Sequence, residues 1–291
     1  MCDEQNLKQW AKGQMNRRQF GVVAGAGALA ACAPGEVVAG GDTQSSANSG
    51  TEVGFATKDG TMDARFFAAP NGPAPAVIHW PDIAGIRASH ISMAQRTAAE
   101  GYSVLLVNPY YRDATGVIWP DFASFADGGW DRARAMRSKL SSQAVKSDTQ
   151  GIISWLDAQE GVDTARGIGA EGYCMGGPFT VYSAHANSER VKAAASFHGG
   201  GLVRDDDPES PHILLAQTTG HYLFAIAKND DAKAPTDKTE LRAASEAAGR
   251  PAKITVYEGD HGWTVPDSPS YVKEAAELAF ADKLALYKTA L

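Results

Sequence analysis

The sequence predicts an α/β fold with a mainly parallel sheet covered by helices on both faces. Two observations carry this. Apolar runs of strand length alternate with stretches of helical length, the order of crossover units rather than of hairpins or bundles. One of these runs, Gly167-Ile168-Gly169-Ala170, leads into Gly172-Tyr173-Cys174-Met175-Gly176-Gly177, a G-x-C-x-G-G turn where a buried strand passes sharply into a helix.

The elements follow in order. Glu52–Ala56 and Met62–Ala68 read as a hairpin across Lys58-Asp59-Gly60, because Asp-Gly suits a tight turn. Strand Ala76–Trp80, helix Ser89–Glu100, strand Ser103–Val107 and helix Ser147–Ala158 come next. Past the turn lie helix Gly177–Ala186, strand Lys192–Phe197 and strand Tyr222–Ala227. Helix Thr236–Ala248 is ended by Gly249 and Pro251, and strand Lys253–Tyr257 and helix Tyr271–Thr289 close the chain. Between Arg112 and Ser147 runs an excursion with Trp119, Phe122, Phe125 and Trp130, then helical spacing from Arg132 to Lys139. It is expected either to wall a pocket or to pack as a surface helix on the core.

The turn is where chemistry is expected. In a nucleophile elbow the central side chain is lifted onto the sheet's upper edge, and glycines let strand and helix approach without Cβ clashes. Here that side chain is Cys174, and a thiolate attacks acyl carbon well. The partners should follow in the order acid, then histidine. Strand Tyr222–Ala227 ends at Asp230 and Asp231, and the last strand ends in Asp260-His261-Gly262. Both ends fall at the carboxyl edge, where sites on such sheets collect. His261 is the expected base. Asp230 is preferred as its orienter because it comes first, with Asp231 equally acidic beside it. The other six histidines (His79, His90, His185, His198, His212 and His221) are expected to be structural hydrogen-bonders. Backbone N–H groups of Met175 and of Ile83, in the loop after Ala76–Trp80, are the candidate oxyanion donors.

These residues resemble the dienelactone hydrolase family, cysteine members of the α/β-hydrolase fold. The motifs are the Gly-Tyr-Cys-Met-Gly-Gly elbow, Asp82-Ile83-Ala84-Gly85-Ile86-Arg87, Gly101-Tyr102 before Val104-Leu105-Leu106-Val107, and Asp260-His261-Gly262. The resemblance spans Glu52 to the C-terminus. It implies a Cys174–Asp230–His261 triad acting on lactones or small esters, of carboxymethylenebutenolidase type, with no metal or organic cofactor. It also marks two departures. Asp82 stands where family members carry a glutamate that holds the resting thiol, and Val265 stands where they place an arginine for a substrate carboxylate. Arg112 matches another family arginine and is a candidate anion ligand, or else a surface ion-pair partner. Trp263 is expected to line the site or to pack beneath it.

The first 31 residues read as an export leader. Asn16-Arg17-Arg18-Gln19-Phe20 is a twin-arginine pattern, and a weakly apolar run from Gly21 to Ala31 follows, too short to span a bilayer. Leu29-Ala30-Ala31-Cys32 resembles a bacterial lipobox, with cleavage before Cys32 and lipidation of its thiol. Residues 32–50 read as a flexible tether and 51–291 as one domain. The expected location is the bacterial envelope or periplasm, with membrane contact through the lipid alone. Of three cysteines, Cys2 leaves with the leader and Cys32 is acylated, so Cys174 has no disulfide partner. The leader carries four of the 27 basic and two of the 34 acidic residues, which leaves a net charge of −9. Such a surface argues against nucleic-acid partners. The competing readings are a non-catalytic envelope binding protein that retains the fold, and a thiol redox protein, disfavoured by the lack of a resolving cysteine.

Overall fold

The computed structural model describes residues 4–5, 7–13 and 50–291. The twin-arginine pattern, Cys2, Cys32 and all of the tether but Gly50 lie outside the described residues. Among those described, no helix is long and apolar enough to cross a membrane.

Eight strands form one sheet in the order β1-β2-β4-β3-β5-β6-β7-β8. The hairpin β1 (Thr51–Thr57) and β2 (Gly60–Phe67) joins the sheet antiparallel, through β4 (Ser103–Val107). Every later pairing is parallel, running from β4 through β3 (Ala76–Trp80), β5 (Ile168–Tyr173), β6 (Val191–Phe197) and β7 (His221–Ala227) to β8 (Ala252–Tyr257). Every residue of β3, β4 and β5 is buried. Burial on both faces is what continuous apolar strands require, and it puts β5 at the centre of the sheet.

One short helical segment, α1 (residues 7–13), precedes the sheet. Helices α5 (Ser142–Leu156), α6 (Gly177–Ala186) and α9 (Asp237–Ala247) cover one face, in a core with Ile152, Phe179 and Leu241. The other face packs against α2 (Ala88–Ala99) and α10 (Lys273–Ala290), through Ala94, Ala98, Ala279 and Tyr287.

The expected elements are present, with four differences. The helix expected at Ser147–Ala158 begins at Ser142, where the Ser141 hydroxyl accepts from the Ala144 N–H as an N-cap. The excursion folds as two helices, α3 (Phe122–Gly128) and α4 (Trp130–Arg137), the first capped by Asp121. A short helix, α7 (Pro211–Leu214), stands before β7. The chain leaves β7 directly into a further short helix, α8 (Lys228–Lys233), with Asp230 and Asp231 in its first turn.

Candidate active site

The site is built from the end of β5. Cys174 has φ 52°, a left-handed conformation that a side chain other than glycine rarely takes. A 3-10 turn, Cys174–Gly176, then feeds α6. Its flanking glycines are dictated by contact. A Cβ on Gly172 would lie 2.0 Å from the Gly176 carbonyl oxygen, and one on Gly177 would lie 2.4 Å from the Gly199 Cα. The strained backbone is held because strand, helix and the loop after β6 close on it from three sides.

Two other strand ends bring the partners. The His261 Nδ1–H lies 2.6 Å from Asp230 Oδ2, and the His261 backbone N–H donates to Asn229 Oδ1 at 2.8 Å. Asp231 turns away and is held by Lys238, 2.7 Å from both of its oxygens. The start of α8 therefore presents one carboxylate to His261 and the next to another helix. Cys174, His261, Asp82, Ile83, Phe122 and His198 line a single cavity of about 30 Å³, together with Leu7, Gly262, Ser268 and Pro269. Phe122 belongs to α3, so the excursion supplies part of the wall.

The loop after β3 carries a buried charge cluster. Asp82 Oδ1 accepts from the Ala84 N–H at 2.9 Å and from Arg87 Nη1 at 2.7 Å, and Oδ2 accepts from Arg87 Nη2 at 2.8 Å. Burial alone would push the Asp82 carboxyl up, but the Arg87 guanidinium outweighs it and holds it well below the carboxylate range. No bond to Cys174 is among those of Asp82; both of its oxygens accept from Arg87. Arg87, fully buried, also grips Asp267 through Nε at 2.9 Å and Nη2 at 3.0 Å. Asp267 in turn accepts from the Phe122 N–H at 2.9 Å. A continuous strut thus runs from Asp82 to the first residue of α3. Tyr110, donating to the Ile83 carbonyl at 2.8 Å, steadies the same loop from β4's side.

Behind the cluster the chain of polar groups continues. The Asp82 N–H donates to His90 Nε2 at 3.3 Å, and His90 Nδ1 meets His79 Nε2 at 2.9 Å. His79 Nδ1 meets Glu171 Oε1 at 2.6 Å, and Glu171 is shared with Lys283 at 2.6 Å and Tyr287 at 3.1 Å. One set of tautomers satisfies all of these atoms: Nδ1–H on both rings, with each Nε2 accepting. Burial holds His90 down, to about 4. His79 and His90 are structural, as expected of them. His198 is more than that. Its Nε2 is 2.9 Å from Thr264 Oγ1, but its ring stands edge-on to His261 at 5.0 Å and walls the cavity. Its place at the end of β6, beside the elbow strand, was the available signal.

Two other candidates lie elsewhere. Arg112 is clamped between Asp148, at 2.7 and 2.9 Å, and Asp59, at 2.7 Å, over the Tyr111 ring. It is absent from the cavity wall, and the ion-pair alternative describes its surroundings. Trp263 is fully buried, stacks on Tyr257 at 4.8 Å and packs beneath the site. Val265 is buried too. Asp267 went unnoticed in the sequence, where nothing distinguishes it from a surface carboxylate. Among the described residues, no group of three or more His, Cys, Asp or Glu side chains is arranged to hold a metal.

A mainly parallel sheet with flanking helices and a positive-φ residue at a strand-to-helix elbow defines an α/β-hydrolase fold. The sequence profile of the dienelactone hydrolase family matches residues 62–291, and the chain belongs to that family. A candidate carboxymethylenebutenolidase of Escherichia coli (strain K12) is 27% identical over 223 residues, covering 75% of this chain and 78% of its own. Carboxymethylenebutenolidase of Rhodococcus opacus is 22% identical over 208 residues, covering 70% and 77%. A crystal structure of a candidate dienelactone hydrolase from Klebsiella pneumoniae subsp. pneumoniae superposes with a TM-score of 0.69 at 26% identity, covering 82% of this chain and 97% of that one. The family and these relatives make the chain a hydrolase by kinship.

Proposed function

We propose that the chain hydrolyses lactones or small carboxylic esters through an acyl-Cys174 intermediate. The observation that carries the reading is the convergence of the strained Cys174 and the Asp230-oriented His261 on one cavity. His261 Nε2 takes the thiol proton, and the Cys174 sulfur bonds to the carbonyl carbon while Asp230 keeps the imidazole tautomer fixed. The oxyanion is held by the N–H groups of Met175 and Ile83. Collapse breaks the C–O bond, and His261 returns its proton to the leaving alkoxide. Water, deprotonated by His261, then releases the acid and the thiol. In a lactone the alkoxide and the acid remain one molecule.

The substrate range is read from what faces the cavity. Arg112 is committed to Asp59 and Asp148, and the cavity lining contains no arginine or lysine. A substrate carboxylate is therefore not required. The test compares the protein with Cys174→Ala on p-nitrophenyl acetate and on lactones with and without a carboxylate. Turnover should fall at least about 10³-fold in the variant, and neutral lactones should be hydrolysed as well as acidic ones. No turnover and no burst of acylation by an activated ester would leave the binding-protein reading in its place.

We further propose export by residues 1–31 and anchoring through a lipid on Cys32. The supporting features are those of the sequence: paired arginines, the short apolar run and the lipobox-like Leu29-Ala30-Ala31-Cys32. Labelling with a radioactive fatty acid, lost in Cys32→Ala, is the expected result.

A further inference from the structure

The cavity at Cys174 holds about 30 Å³, room for a few water molecules at most and less than an ester needs. What narrows it is the chain's own beginning. Leu7 of α1 is part of the cavity wall, alongside Ile83 and Phe122. Trp10, one turn on, lies 6.3 Å from the Phe122 ring, and Ala11 is wholly buried against the α3–α4 face. Spacing of i, i+3 and i+4 puts these three on one side of the helix. Glu4 reaches Arg134 of α4 at 2.7 Å, which fixes the direction of the segment. The face beneath consists of Phe122, Ala123, Phe125, Ala126, Trp130 and Ala133. Apolar surface of that kind, opening onto a nucleophile, does not serve water or an ion.

We propose that this α3–α4 face is the subsite for an apolar acyl group, and that α1 occupies it as a stopper that closes Cys174 as long as residues 7–13 are attached. Leu7 stands where the first carbons of an acyl chain would leave the reacting carbonyl, with Trp10 and Ala11 filling the groove beyond. The subsite half rests on the ester- or lactone-hydrolase reading above; the stopper half does not. Loss of residues 1–31, if the leader reading holds, would remove the stopper together with the export signal. The protein would then acquire access to substrate on maturation.

The experiment uses the full chain with its N-terminus retained, in a Cys2→Ala, Cys32→Ala background so that Cys174 is the thiol observed. Leu7→Asp with Trp10→Asp puts charge on the docked face. Glu4→Arg, on the polar side, breaks the Arg134 pair and leaves the apolar face intact. Both should speed alkylation of Cys174 by iodoacetamide, the first by about tenfold or more, the second by less. Both should raise kcat/KM, and more for p-nitrophenyl hexanoate than for the acetate. A synthetic peptide of residues 1–15 with the same Cys2→Ala change, added to the uncapped variant, should slow alkylation again. Phe122→Asp in the uncapped variant should lower the hexanoate-to-acetate ratio. Faster alkylation without any ester turnover would retain the stopper and overturn the hydrolase reading. Equal alkylation in every form would overturn the stopper, and an unchanged hexanoate-to-acetate ratio would overturn the acyl subsite.

Discussion

Asp230 and Asp231 are adjacent, equally acidic and both in the first turn of α8, yet they face different partners. The helix separates consecutive side chains by about 100° around its axis, so the carboxylate that meets His261 cannot be exchanged for its neighbour. Asp230→Asn should lower kcat on p-nitrophenyl acetate by about 10²–10⁴-fold, because the imidazole loses the group that fixes its tautomer. Asp231→Asn should leave kcat within about threefold. A larger loss in Asp231→Asn than in Asp230→Asn would remove Asp230 from the mechanism. Gly172 allows a prediction about folding rather than chemistry. Its missing Cβ would overlap the Gly176 carbonyl at 2.0 Å, so Gly172→Ala should yield insoluble protein or a circular-dichroism melt far below that of the parent. A soluble variant with parental melting would mean that the elbow is looser than its contacts indicate.

At the scale of elements, α3 is placed by a charge strut and not by its own sequence. Its first N–H is held by Asp267, which Arg87 ties to Asp82. Removing the guanidinium strands the buried Asp82 carboxylate, and such a loss typically costs about 3–5 kcal/mol. Arg87→Met should therefore shift the urea midpoint strongly. Asp267→Asn, on a partly exposed side chain, should shift it little but change kcat/KM through the position of Phe122. Equal small shifts in both would argue that the strut bears little of the load. The paired helices of the excursion were half visible in advance. Helical spacing from Arg132 to Lys139 pointed to α4, whereas Phe122–Gly128 is short, ends in glycines and takes its order from Asp121 and Asp267.

Across the whole molecule, a largely buried polar chain links the site to α10, from Asp267 through Arg87, Asp82, His90, His79 and Glu171 to Lys283. It makes stability depend on pH. His90 ordinarily titrates near 6.5, and burial, foremost, holds it at about 4 in the fold. Unfolded chains thus take up a proton that folded chains refuse until about pH 4. Stability should be level above about pH 7 and should fall by roughly 3 kcal/mol as pH drops through that window. Glu171, which burial would raise but Lys283 and His79 hold at about 2, adds a second loss below about pH 4.5, where the unfolded carboxyl protonates. Urea midpoints measured from pH 8 to pH 4.5 should show the first slope in the parent and a shallower one in His90→Gln. Parallel slopes would assign the pH dependence to other groups.

The sequence by itself determined the α/β architecture, the family, and Cys174 and His261 as the residues to watch. Strand burial, glycine at a steric pinch and chain order at a strand end are local facts, and they are written in local residues. Tertiary structure alone decided which of two aspartates meets His261, that Asp82 belongs to Arg87, and that Arg112 is spent on Asp59 and Asp148. It also decided that Leu7 and Phe122 meet over the cysteine. Each of these depends on where a distant segment arrives, because a charged or apolar side chain takes whichever partner packing brings within a few ångströms. Pairs such as Arg87 with Asp267, or Trp10 with Phe122, are set by that arrival and leave no period or spacing in the chain.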